Sequence, residues 1–178
     1  RVKILAKMKK ILIATEKPFA KSAVDGISKI VTDAGYEIVL LENYTEKAQL
    51  LKAVEDVNAI IIRSDKIDKE VIDAAPNLEV VVRAGAGYDN VDSDAASAKN
   101  VVVMNTPGQN SNAVGELAIG LMLYAARNFF NGSSGTELRG KTLGLYALGN
   151  TAKYLAQAAQ GLGMEVYAYA PTKDEAYL

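Results

Sequence analysis

What most constrains this chain is a repeated alternation of short apolar, β-branched runs with longer amphipathic stretches. The runs fall at residues 11–14, 37–41, 59–62, 80–82 and 101–104. Between them, residues 19–34, 46–54, 69–75 and 94–99 carry apolar side chains at helical spacing. Continuous apolar strands flanked by amphipathic helices belong to a parallel sheet covered on both faces, because each crossover carries the chain back over one face or the other. Five such strands predict a doubly wound α/β domain.

The pattern divides the chain. Residues 8–105 read as a flavodoxin-like parallel sheet domain. Residues 1–7 precede its first strand as an added segment, either a tag remnant or an extra edge strand whose lysines blunt pairing. Residues 105–112 are rich in turn formers and N-cap candidates and open a long helix over residues 113–130. That helix is apolar almost all round, which predicts burial between layers. Glycines in residues 131–135 offer a C-cap, so residues 106–136 form a linker helix region. Residues 137–178 then read as one further βαβ unit: strand 142–148, helix 150–162, strand 165–169. Two strands cannot bury an apolar face alone. The unit is expected to dock on the first domain or on a partner chain, giving a homodimer through the linker helix and the βαβ unit, or to be a fragment of something longer.

Composition narrows the chemistry. With 178 residues, 49% hydrophobic and 23% charged, the chain has the balance of a folded domain. A net charge of −1 provides no field for nucleic acid or an anionic membrane. No apolar run approaches the ~20 residues of a membrane span, and a cytoplasmic setting is the default. The sequence has neither cysteine nor histidine. That removes thiolate and nearly all zinc sites, so no metal is expected, and it removes Ser/His and Cys/His catalysis.

One loop carries a cofactor signal. Gly149 lies between a strand and a helix, where backbone N–H groups can face a pyrophosphate. The dinucleotide fingerprint G-x-G-x-x-G/A is represented by Ala147, Gly149 and Ala152, and Ala170 stands where a ribose-binding carboxylate belongs. Gly149, Asn150 and Thr151 are the cofactor-binding candidates. Binding is doubtful on Ala147, Ala152 and Ala170. An ordinary βα turn with one glycine remains the alternative. Lys173 is a weaker candidate for attracting a 2′-phosphate.

Several segments together resemble the D-isomer-specific 2-hydroxyacid dehydrogenase family, most of all its phosphoglycerate dehydrogenase branch. They are Ile60-Ile61-Ile62-Arg63-Ser64, Val82-Arg83-Ala84-Gly85-Ala86-Gly87-Tyr88-Asp89-Asn90-Val91-Asp92 and Asn105-Thr106-Pro107-Gly108-Gln109-Asn110, with Val114-Gly115-Glu116-Leu117 and Glu137-Leu138-Arg139-Gly140-Lys141-Thr142-Leu143-Gly144 following in the same order. The resemblance implies a substrate domain, a linking helix and the opening of an NAD-binding Rossmann domain, serving hydride transfer at C2 of a 2-hydroxy acid. It places Arg63 and Arg83 against a small anionic substrate, where a guanidinium bonds carboxylate or phosphate bidentately. It makes Ala84, Gly85 and Ala86 a backbone nest for the same anion. Asn105, Thr106 and Asn110 would lie near the cleft, or serve only as caps.

The family's catalytic arginine, carboxylate and histidine lie further along the cofactor domain, so no catalytic residue is assigned here. The resemblance implies a chain that is inactive alone. The alternative is a truncated or engineered flavodoxin-like scaffold without enzymatic activity.

Overall fold

A computed structural model describes residues 8–171. The added segment at residues 1–7, and Lys173, lie outside the described residues. The chain divides into two compact units at Pro107–Gly108.

In the first unit, β1 (Lys10–Thr15), β2 (Glu37–Glu42), β3 (Ala59–Ile62), β4 (Val80–Arg83) and β5 (Val102–Asn105) form one sheet. The order is β2-β1-β3-β4-β5 and every pairing is parallel. This is the doubly wound topology expected from the alternation. The crossovers are α1 (Lys21–Asp33), α2 (Lys47–Ala53), α3 (Lys69–Asp73) and α4 (Ser93–Ala98).

Register explains the core. Leu12, Ile60, Val81 and Val103 lie side by side across four strands. With Ala14 and Ile62 they pack against Leu50, Val54, Val71, Ile72 and Ala96. Alternate residues face the other way. On that side Ile13 is fully buried, whereas Met104, on the same stripe at the β5 edge, is 53% exposed.

The second unit contains α5 (Ser111–Ala126), a 3-10 turn at Asn128–Phe130, β6 (Thr142–Tyr146), α6 (Asn150–Gly161) and β7 (Glu165–Tyr169). β6 and β7 form their own parallel two-stranded sheet. A small core of Leu138, Ala159 and Met164 gathers Ile119, Met122, Leu143 and Val166 around it. Helices α5 and α6 approach closely at Gly115, where a Cβ would lie 3.2 Å from both Tyr154 Cβ and the Leu155 nitrogen.

Two expectations for the linker helix need correction. It is not buried between layers: only Ser111 and Gly115 are buried, and Leu117, Leu121 and Tyr124 are exposed. Nor does a glycine end it. The helix stops at Ala126, and Asn128, Phe129 and Phe130 follow with φ of 50°, 58° and 54°. Left-handed backbone is unfavourable for such side chains. Thr136 N–H caps the freed Ala126 carbonyl at 2.7 Å, and Asn128 Nδ2 donates to the Ser134 carbonyl at 2.6 Å.

Candidate functional site

In open α/β sheets ligands bind beyond the carboxyl ends of the strands, where strand order reverses. Here the reversal lies between β1 and β3. Two groups of residues occupy this edge of the first unit.

Arg83 is the last residue of β4, paired with Ile62 of β3. Its guanidinium folds back across Gly85, where any Cβ would overlap Nη1. Arg83 Nε is buried and has no hydrogen-bond partner among the described residues. A charged donor held this way is costly unless an acceptor arrives, and a carboxylate or phosphate oxygen is the natural one.

The loop after β4 is a poorer nest than the sequence implied. Ala84 N–H donates to the Ile62 carbonyl and Gly85 N–H to the Arg83 carbonyl, each at 2.8 Å. Neither is free for a ligand. Gly85 serves instead as the bare backbone that lets Arg83 lie flat. Among the described residues the N–H groups of Ala86 and Gly87 make no hydrogen bond, and the Ala86 carbonyl accepts from Asn105 Nδ2 at 2.6 Å. Thr106 N–H donates to the Gly85 carbonyl at 2.8 Å, so the end of β5 braces the loop.

Arg63 follows β3 and is exposed. With Thr15, Glu16, Lys17, Ser64 and Asp65 it lines a cavity of about 130 Å³ at the β1–β3 reversal. Sequence reasoning singled out only Arg63 of this group. The available signal was Asp65 itself, an acid two residues before the fully buried Ile67, at the end of a central strand. The Asp65 carboxylate accepts from Glu16 N–H and Tyr44 Oη, both at 2.7 Å. Burial first, and then the bond to Asp65, holds the Tyr44 phenol far above its ordinary pKa, so it remains a donor.

The glycine loop belongs to the second unit. Gly149 caps α6 without a side-chain hydrogen bond, and a Cβ on it would meet open space. Asn150 and Thr151 begin the helix, whose first-turn N–H groups have no partner within the helix and can face an anion. The Asn150 amide lies over Gly108, 3.0 Å from where a Cβ would be. Ala147 has φ of 79°, the left-handed turn for which the fingerprint uses glycine. The backbone therefore keeps the phosphate-binding bend although the side chain opposes it. This much fits a pyrophosphate. Ala170, directly after β7, offers no carboxylate to a ribose.

Comparison with known proteins decides the family. The sequence profile for the D-isomer specific 2-hydroxyacid dehydrogenase catalytic domain matches residues 12–176. The chain belongs to the D-isomer-specific 2-hydroxyacid dehydrogenases. Among members of this family, it is 39% identical over 157 residues to D-3-phosphoglycerate dehydrogenase of Rattus norvegicus, covering 80% of this chain and 29% of the relative. It is 37% identical over 153 residues to hydroxypyruvate reductase of Thermotoga maritima, covering 78% of this chain and 50% of the relative. NAD+-bound 3-phosphoglycerate dehydrogenase from Entamoeba histolytica superimposes with a TM-score of 0.88 at 45% identity, covering 94% of this chain and 55% of that one. The chain thus spans half or less of these curated relatives. Among the described residues, no helix is long and apolar enough to cross a membrane.

Proposed function

We propose that this 2-hydroxyacid dehydrogenase chain binds a small anionic 2-hydroxy acid of the phosphoglycerate class, as the substrate half of an NAD-dependent oxidoreductase. The observation that carries this reading is Arg83, a guanidinium laid across Gly85 with its buried Nε unpartnered. Arg63 stands at the end of the neighbouring strand and supplies a second cation for a doubly anionic ligand. Gly149, Asn150 and Thr151 would hold the pyrophosphate of NAD, which supplies the hydride acceptor when bound. The chain itself contains no histidine to move the hydroxyl proton. Its role by itself is therefore binding, without turnover.

The test is calorimetric titration with 3-phosphoglycerate and with NADH, alongside a spectrophotometric assay of NAD+ reduction. Saturable 3-phosphoglycerate binding, weakened at least about tenfold in Gly85→Ala because the new methyl displaces Arg83, is the expected result. Undiminished binding in that variant would remove Arg83 from the site. Turnover by the purified chain would overturn the binding-only role.

A second reading, a scaffold without enzymatic activity, is favoured by Ala147 and Ala170 at the cofactor loop. Absence of NADH binding would support it. The exposed apolar surface of α5 supports a homodimer through the linker helix and the βαβ unit; a monomeric mass in sedimentation analysis would exclude it.

A further inference from the structure

Asp65 is the only buried charged side chain among the described residues, at 4% exposure, and it makes no ion pair there. Taking a carboxylate out of water without a cation is costly unless hydrogen bonds offset it. Its bonds all run to loops at one edge of the sheet. Oδ1 accepts from Glu16 N–H in the β1–α1 loop and from Tyr44 Oη in the β2–α2 loop, both at 2.7 Å. Oδ2 faces Arg63 N–H at 3.4 Å. The Asp65 carbonyl accepts from Asn90 Nδ2, in the β4–α4 loop, at 2.7 Å. One residue therefore ties together all four crossover loops at the edge where ligands bind.

Of the two bonded backbone amides, one is Arg63's own and the other is Glu16's, one residue before Lys17, and Lys17 and Arg63 are the cations that line the cavity. Thr15 Oγ1 fixes the Lys17 carbonyl at 2.5 Å. The Arg63 N–H meets Asp65 Oδ2 directly, at 3.4 Å. At about 130 Å³ the cavity is well below the ~300 Å³ of a whole small-molecule pocket. That is room for one phosphate or carboxylate group.

We infer that Asp65 is the positioning residue of this cavity, fixing Lys17 and Arg63 so that together they seat one phosphate-sized anion. The inference rests on the anion-binding reading above and adds Lys17 and Asp65 to it. Asp65 acts through geometry and against its own charge. A carboxylate beside the cavity repels an anion, so if charge were its only effect, Asp65→Asn would tighten binding. A positioning role requires the opposite.

The experiment measures dissociation constants for 3-phosphoglycerate and for inorganic phosphate, with Tm, in the full chain and in Asp65→Asn, Tyr44→Phe, Lys17→Met and Asn58→Ala. Asn58 is the control. It ties Lys10 N–H, the Asn77 carbonyl and Glu79 together at the opposite edge of the same sheet, so its loss destabilises the unit without touching the cavity. The expected result is phosphate and 3-phosphoglycerate binding weakened about tenfold in Asp65→Asn and Lys17→Met, and by less in Tyr44→Phe. Asn58→Ala should lower Tm while leaving both constants within about twofold. Tighter or unchanged binding in Asp65→Asn overturns the proposal. So does equal weakening in Asn58→Ala, which would reduce Asp65 to a stability role. A chain that binds phosphate but not 3-phosphoglycerate loses the proposed substrate class, while the variant series still decides on Asp65. A chain that binds neither refutes both.

Discussion

Arg83 and Ala147 hold conformations that oppose their own stability. Leaving the Arg83 Nε buried without an acceptor costs about 1–3 kcal/mol. Arg83→Met retains the apolar stem and removes the orphan donor. It is expected to stabilise the first unit by about 1 kcal/mol while abolishing 3-phosphoglycerate binding, read by thermal melting and calorimetry on the same sample. A lower Tm would mean that the guanidinium is structural. At Ala147 the cost lies in the backbone, at φ of 79°. Ala147→Gly relieves a left-handed strain of about 1–2 kcal/mol and gives back part of it in unfolded-state entropy. A net gain of about 0.5–1 kcal/mol in denaturant unfolding is expected. The sequence singled out Arg63, Arg83 and Gly149 because short motifs carry them. It could not show that the Ala84 and Gly85 amides are consumed within the loop, since their partners come from the preceding strand and from β3.

Among the elements, the short α3 is tied in by several charged contacts. Asp68 caps it by accepting from Val71 N–H at 3.3 Å, and Lys47 of α2 bonds both Asp68 and Glu70. The Lys47 ammonium, with help from the Val71 amide, holds the Asp68 carboxyl below its ordinary pKa. Lys69 and Lys99 do the same to Asp73. A carboxyl whose pKa is depressed by folding stabilises the fold above its unfolded value, near pH ~4. That contribution is lost as pH falls through the lower, folded value. Melting temperature should therefore drop below pH ~4, and the difference between the native chain and Asp68→Asn should narrow there. A difference independent of pH would show that the cap works without its charge. Strand and helix positions were largely legible in the sequence, because periodicity of 2 or 3.6 follows from backbone geometry. The end of α5 was not. Glycines at positions 132 and 135 invited a late C-cap, but side-chain and backbone bonds after Ala126 stop the helix earlier with three non-glycine residues.

For the molecule as a whole, the two units differ in how much core each has. Among the described residues, the first joins seventeen buried hydrophobic residues in one cluster, and the second gathers three. Local stability follows buried apolar contact, so amide hydrogen exchange should reach β6, β7 and α6 before β1 and β3. Equal protection in both would mean that the second unit is stabilised by something beyond its own core. What the sequence alone determined is the alternation of elements, the parallel sheet and the family, because these are written in local spacing and contiguous motifs. Only the tertiary structure decided that Asp65 is buried among four loops, that Arg83 turns back over Gly85, and that α5 exposes its apolar surface. The reason is physical: periodicity is a property of a segment, whereas burial and hydrogen-bond satisfaction depend on what distant segments bring to the same place.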